Sequence, residues 1–278
     1  EMCIRDRGWS IVGTFSYKRY QREKTFRSAN ICYSDAYGEM KTATTGFFSD
    51  KLRENSAVEE HYTYDLYTTY EHSINRHNFK VLAGMNHEAY RYKLIYGAKS
   101  SLQSDYLNDL NLGTGVAEAS GGQSRWALLG FFGRGTYDFA GKYLAEVNFR
   151  WGGSSTIPKH DRWGFFPSVA LGWRISEENF MEPLRKVIDN VKLRASVGSL
   201  GNQAIADSYP YIQSLSPSLS TSYLMNGNKI YITSLGAPQS GDLTWETIIT
   251  KNLGLDLGFF GNRLTATADF YIRDTKDM

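Results

Sequence analysis

The chain has 278 residues and a formal charge of +2, with 31 Lys and Arg against 29 Asp and Glu, so it carries no global field that would draw nucleic acid or an acidic partner. Nineteen Tyr, 15 Phe, 6 Trp and 26 Gly stand against six Pro; 14% aromatic residues exclude a disordered chain, and no collagen or heptad repeat is present. The mean hydropathy is −0.42 and no run reaches the roughly 18 to 20 apolar residues of a spanning helix, which excludes helical membrane proteins but not β-barrels.

Glu1–Arg7 (EMCIRDR) has no apolar signal core and no strand alternation, and reads as a non-native extension ahead of one region over 8–278. From there, period-two alternation predicts about nine strands, beginning near Trp9, His61, Asn78, Ser124, Lys142, Trp163, Val191, Trp245 and Arg263. Over 61–72, Tyr62, Tyr64, Leu66, Thr68 and Tyr70 share one face. Tyr143, Ala145, Val147, Phe149 and Trp151 alternate with Glu146, Asn148 and Arg150. The pattern returns in Trp163, Phe165, Val169, Leu171 and Trp173, in Val191, Leu193, Ala195 and Val197, and in Leu253, Leu255 and Leu257. It ends with Leu264, Ala266, Ala268, Phe270 and Ile272. One face of each strand is apolar and the other polar.

The connections alternate in length. Short turns fall at Ile74 to His77, Ala140 to Gly141 and Gly261 to Asn262, where Asn and Gly suit tight hairpins. Long loops are expected over 21–60, 97–123, 152–162 and 201–244. Such loops are rare in compact soluble domains, where connections cluster at about 4 to 6 residues, and the short-long rhythm is that of an outer-membrane barrel. Ser176–Asn190 breaks it and reads as a short helix in a periplasmic turn. Ser176 is its candidate cap, and Leu184, Val187 and Ile188 form an apolar stripe that either packs under the barrel rim or docks a partner.

Aromatic spacing sharpens the reading. On one face Tyr143 and Trp151 lie eight residues apart, and Trp163 and Trp173 ten. At about 3.3 Å per residue and a tilt of about 40°, these become roughly 20 and 25 Å along a membrane normal, near the height of the apolar band between aromatic girdles. Tyr143, Trp151, Trp163 and Trp173 are therefore the candidate membrane girdle. The alternative is a secreted β-sandwich, a glycan-binding or adhesion protein with these rings in its core, although sandwich strands average about 5 to 6 residues.

Four stretches now carry a resemblance: GRGTYDFAGKYLAEVNFRWGGSS (133–155), RWGFFPSVALGWRISEENFM (162–181), VKLRASVGSLGNQ (191–203) and NLGLDLGFFGNRLTATADFYIRDTKDM (252–278). In this order they resemble the SusC/RagA group of TonB-dependent outer-membrane transporters, and HNFKVLAGM (77–85) is similar to a further strand of that group. The resemblance implies a barrel of about twenty-two strands closed by a plug, of which this chain is a part lacking the plug and the C-terminal strands. It also implies uptake of glycans or peptides, a SusD-like surface lipoprotein as partner, contact with the TonB complex through the plug, and a multi-pass place among outer-membrane lipids. Pro167, which cannot donate to a ladder, is expected at a bulge near the outer rim.

No catalytic pair, cofactor motif or metal spacing is present, so no enzyme, cofactor or metal is expected; His61, His72, His77, His87 and His160 read as solvated or loop residues. Cys3 and Cys32 are too few for a disulfide framework. The basic stretch Lys18–Arg27 reads as an ordinary solvated loop or as a contact for anionic groups. Tyr209, Tyr211, Tyr223 and Tyr231, in the longest loop, are the candidate substrate contacts, because aromatic faces pack on sugar C–H surfaces; the alternative is loop packing.

Overall fold

The computed structural model describes residues 2–6, 8–43, 50–104, 106–184, 187–203, 209, 211–236 and 243–276. In chain order the strands are β1 (Met2–Asp6), β2 (Trp9–Ser28), β3 (Ile31–Ser34), β4 (Met40–Ala43), β5 (Lys51–Ile74), β6 (His77–Ser100), β7 (Glu118–Phe139), β8 (Tyr143–Ser154), β9 (Trp163–Arg174), β10 (Ile188–Asn202), β11 (Leu215–Met225), β12 (Asn228–Leu235), β13 (Glu246–Phe259) and β14 (Leu264–Lys276). Ten of them form one sheet in the order β1-β2-β5-β6-β7-β8-β9-β10-β13-β14, a meander antiparallel from β1 to β2 and from β7 through β14. β3–β4 and β11–β12 are separate two-stranded hairpins. Among the described residues the large sheet is open, since β1 and β14 do not pair with each other.

The nine expected strands are β2, β5, β6, β7, β8, β9, β10, β13 and β14, but four are longer than the alternation suggested. β2, β5, β6 and β7 run for 20, 24, 24 and 22 residues, into segments expected to be loops. Lys18–Arg27 is thus strand rather than loop, and His61, His72, His77 and His87 are strand residues. A ladder is made by main-chain groups and continues where side-chain alternation has lapsed, so the pattern does not mark its end. The expected loops over 21–60 and 201–244 likewise contain the β3–β4 and β11–β12 hairpins.

Two further expectations are corrected. Met2–Asp6 does form a strand, with Met2 opposite Gly13 and Asp6 opposite Trp9, despite its lack of alternation. Gly8, at φ +84°, makes the tight reversal, and β2 supplies the edge to pair with. The segment expected to be one helix from Ser176 is two 3-10 turns, Ile175–Glu177 and Asn179–Leu184, and β10 begins at Ile188 within the expected helix. Pro183 inside the second turn lacks an N–H, and Glu178 between the turns is extended at ψ 150°. Ser176 does not cap; it is buried within the first turn. Leu184 and Val187 are exposed.

The chain divides into two compact units, one of Glu1–Phe15, Thr63–Glu88 and Trp126–Met278 and one of Ser16–Tyr62 and Ala89–Arg125. In the second, Arg27 and Asp50 form an ion pair at 2.9 Å, and Lys51 pairs with Glu118 at 2.7 Å. In its β3–β4 hairpin, the Lys41 ammonium and the Tyr37 and Glu39 amides hold the Asp35 carboxyl below its ordinary range. In the first, the short turns are stitched together. The Ala140 amide donates to Arg76 O at 2.7 Å, Arg174 N to Lys142 O at 2.8 Å, and Phe260 N to Val187 O at 3.0 Å. Ala140 and Gly141 take φ +56° and +71°, and Phe260, Gly261 and Asn262 lie between +56° and +69°, where glycine is favoured. The Asp189 carboxylate accepts from the amides of Gly261 and Asn262 at 2.6 and 3.1 Å, fixing the β13–β14 turn.

Candidate functional site

Registers in the first unit decide which side chains share a face. Tyr143 lies opposite Trp173, Ala145 opposite Leu171, Val147 opposite Val169, Phe149 opposite Pro167 and Trp151 opposite Phe165. The same face continues into β7 through Phe131 opposite Trp151, and into β10 through Leu193, Ala195 and Val197 opposite Trp173, Leu171 and Val169. From there Leu193 and Ala195 pair with Leu255 and Leu253, and Leu253 pairs with Phe270. These residues form an apolar surface across six strands, and it is open: Val147, Leu171 and Phe165 are 52%, 57% and 61% exposed.

Besides Pro158, only Leu52, Ala98, Ile157 and Phe166 are buried apolar side chains among the described residues. A sandwich hides one face of each sheet against the other. Here the described strands outside the large sheet are only the two hairpins, and the apolar face is uncovered, so the sandwich alternative fails. Among the described residues no helix is long and apolar enough to cross a membrane, which says nothing of strands.

All four candidate girdle residues lie on this face, at its two ends. At one end the Trp151 and Trp163 rings are 4.7 Å apart, with Phe131 at 5.9 Å from Trp151 and 6.4 Å from Trp163. At the other, Tyr143 Oη donates to Glu178 Oε1 at 2.7 Å, Trp173 Nε1 to the same oxygen at 3.2 Å, and Lys142 Nζ to Glu178 Oε2 at 3.2 Å. These donors, the Tyr143 hydroxyl first, hold the Glu178 carboxyl below its ordinary range. The alternation pointed to the rings but not to Glu178 or Phe131, whose roles follow from registers across strands.

The opposite face is polar. Arg194 bridges Asp256 at 2.8 Å and Asp269 at 3.3 Å across three strands, and Arg134 donates to Asn148 Oδ1 at 2.7 Å. Pro167 sits within β9 with paired neighbours, opposite Phe149, and the β8–β9 register passes through it unshifted, so no bulge marks it. Its missing N–H is accommodated within the sheet rather than by an irregularity of that ladder.

The loop tyrosines do not gather into one cluster. Tyr209, at φ +64°, and Tyr211 meet edge to face at 6.2 Å, and their hydroxyls reach Ser155 Oγ at 3.4 Å and Ser155 O at 3.5 Å. Tyr231 is on β12, opposite Leu219 and 77% exposed. The side chain of Tyr223 lies outside the described residues, as does that of Cys3. Cys32 lies on β3, opposite Thr42 on β4.

Comparison with known proteins accounts for this arrangement. Residues 5–278 match the family described as TonB dependent receptor-like, beta-barrel. The chain is 33% identical over 219 residues, 78% of its length, to the TonB-dependent receptor SusC of Bacteroides thetaiotaomicron, covering 21% of that protein. It is 31% identical over 244 residues to the TonB-dependent receptor P39 of Formosa agariphila, covering 22% of it. Its fold superposes on the structure of the RagAB peptide transporter with a TM-score of 0.83 at 22% identity, over 99% of this chain and 29% of that one. The chain thus spans about a fifth of the length of these curated relatives. It belongs to the TonB-dependent receptor-like β-barrel family, in the SusC/RagA group, and its place is the outer membrane.

Proposed function

We propose that residues 8–278 are part of the barrel wall of a TonB-dependent importer of large nutrients, glycans or peptides, its lumen closed by a plug outside this chain. The carrying observation is the uncovered apolar face over six strands, backed by a polar one. Lipid requires every spanning main-chain group to be paired and the outward side chains of the spanning band to be apolar; between its two edge strands the meander meets both conditions, and the edges at β1 and β14 would be paired by further strands of a complete barrel. In this reading Tyr143, Trp151, Trp163 and Trp173 form the two girdles, with the stitched turns on the periplasmic side. Tyr209, Tyr211, Tyr223 and Tyr231 lie in the outer loops that meet substrate. A SusD-like lipoprotein would cover the outer mouth, and the TonB complex would act through the plug. RagAB, one structural neighbour, is a peptide transporter, which supports a nutrient of that kind.

The test is made on the full-length protein in its native outer membrane. Uptake of an oligomeric nutrient should stop when the TonB complex is de-energised, and the protein should fractionate with the outer membrane. Uptake indifferent to de-energisation would reduce the reading to a passive porin.

A further inference from the structure

On the polar face of the first unit, an open basin of about 640 Å³ is lined by Phe132, Arg134, Arg150, Phe166, Gln203 and Trp245 among others, with no acidic side chain in its lining. At its centre Arg150 stands opposite Phe132 on β7 and opposite Phe166 on β9. Beside it lie Gly130 and Gly152, which face each other across β7 and β8. A Cβ at Gly130 would come within 3.1 Å of Arg150 Nη2, and one at Gly152 within 3.6 Å of its Nε, so the guanidinium rests over bare backbone. Arg150 is exposed and makes no hydrogen bond or ion pair with any described residue, unlike Arg134, which is held by Asn148 and lies 3.8 Å from Glu146.

The aromatic side of the basin is built firmly. Phe166 is 8% exposed and meets Trp245 edge to face at 5.4 Å, while Trp245 Nε1 donates to Arg162 O at 3.0 Å. The Oε1 of Gln203 is buried without a hydrogen-bond partner among the described residues. An acceptor left in that state is costly unless a donor is supplied.

We infer that this basin binds a carboxylate-bearing oligosaccharide during import, with Arg150 as the carboxylate contact. The inference rests on the importer reading above. A planar guanidinium with no internal partner matches a carboxylate in two parallel hydrogen bonds. Ring faces beside it suit the C–H surface of a sugar, and Gln203 Oε1 suits a sugar hydroxyl donor. An acidic peptide added as a further strand is disfavoured, because strand addition draws on free main-chain groups. Arg150 lies on β8, which is paired on both sides at that position, with Phe132 on β7 and Phe166 on β9, so its own ladder is already occupied.

The test uses the full-length receptor purified in detergent, with tetragalacturonate as probe and three controls: its carboxyl-reduced neutral counterpart, an acidic peptide of equal charge, and the same receptor in whole cells. Arg150→Gln should weaken tetragalacturonate binding about ten- to a hundredfold, the cost of losing a hydrogen bond to a charged group, and leave the neutral sugar's affinity unchanged. Arg150→Lys should restore part of the difference. Heat-modifiable gel mobility confirms that the variants are folded. Unchanged galacturonate affinity in folded Arg150→Gln, no binding by the wild type, or tighter Arg150-dependent binding of the peptide would each overturn the inference. If cells still import neutral glycans in those cases, the importer reading stands. A receptor that fractionates away from the outer membrane overturns both.

Discussion

Glu178 shows how one side chain can fasten the end of a sheet face. Its carboxylate accepts from Tyr143, Trp173 and Lys142, which come from two strands and a turn. Because these donors lower its pKa in the folded protein, the stabilisation is complete above the unfolded value of about 4.5 and is lost as pH falls through the lower folded value. Unfolding measured from pH 7 down to pH 3 should show this loss, and Glu178→Gln should flatten that acid limb while lowering stability at neutral pH. Arg194 makes a second residue-level case, on the polar face. Asp256→Ala removes its bidentate partner at 2.8 and 2.9 Å and should cost about 1 to 3 kcal/mol in a denaturation midpoint, Asp269 retaining only a longer contact. The rings at Tyr143, Trp151, Trp163 and Trp173 were legible from their spacing alone. Glu178 was not, because a carboxylate in a turn has no pattern that distinguishes it from any solvated acid.

The strands and turns carry different parts of the information. Substitution of Arg at Val147 or Leu171 places a charge on the apolar face and should cost about 2 to 4 kcal/mol if that face meets the bilayer mid-plane. The same change at Thr136, on the polar face opposite Glu146, should be tolerated. The yield of heat-modifiable protein in the outer membrane measures both, and equal tolerance would sink the lipid-facing assignment. In the β13–β14 turn, Asp189→Ala leaves the Gly261 and Asn262 amides without their acceptor, and Gly261→Val adds a branched side chain at φ +69°. Each should lower stability by about 1 to 2 kcal/mol in the same assay. The turns at 140–141 and 261–262 were readable because positive φ selects Gly and Asn. The far ends of β2, β5, β6 and β7 were not, since main-chain pairing extends through residues with no alternation. The 176–190 segment misled because acidic residues ahead of an apolar stripe imitate a helix start, while Pro183 and the early onset of β10 leave room only for 3-10 turns.

At the scale of the whole chain, two facts about the described residues set its behaviour: a sheet with open edges at β1 and β14, and an apolar face without a cover. Exposed strand edges and contiguous apolar surface both drive association. Expressed alone in aqueous buffer, the chain should therefore sediment as aggregate, whereas the full-length protein should be extracted from the outer membrane as a folded species; a soluble monomer of this chain would contradict that expectation. The sequence by itself determined the class, the apolar and polar faces and the family, because these depend on the identity and spacing of residues within single strands. Which strand lies beside which, and so the stitched turns, the Glu178 clasp and the basin around Arg150, was decided only by the folded chain. Each depends on side chains far apart in sequence, and strand register is what brings them together.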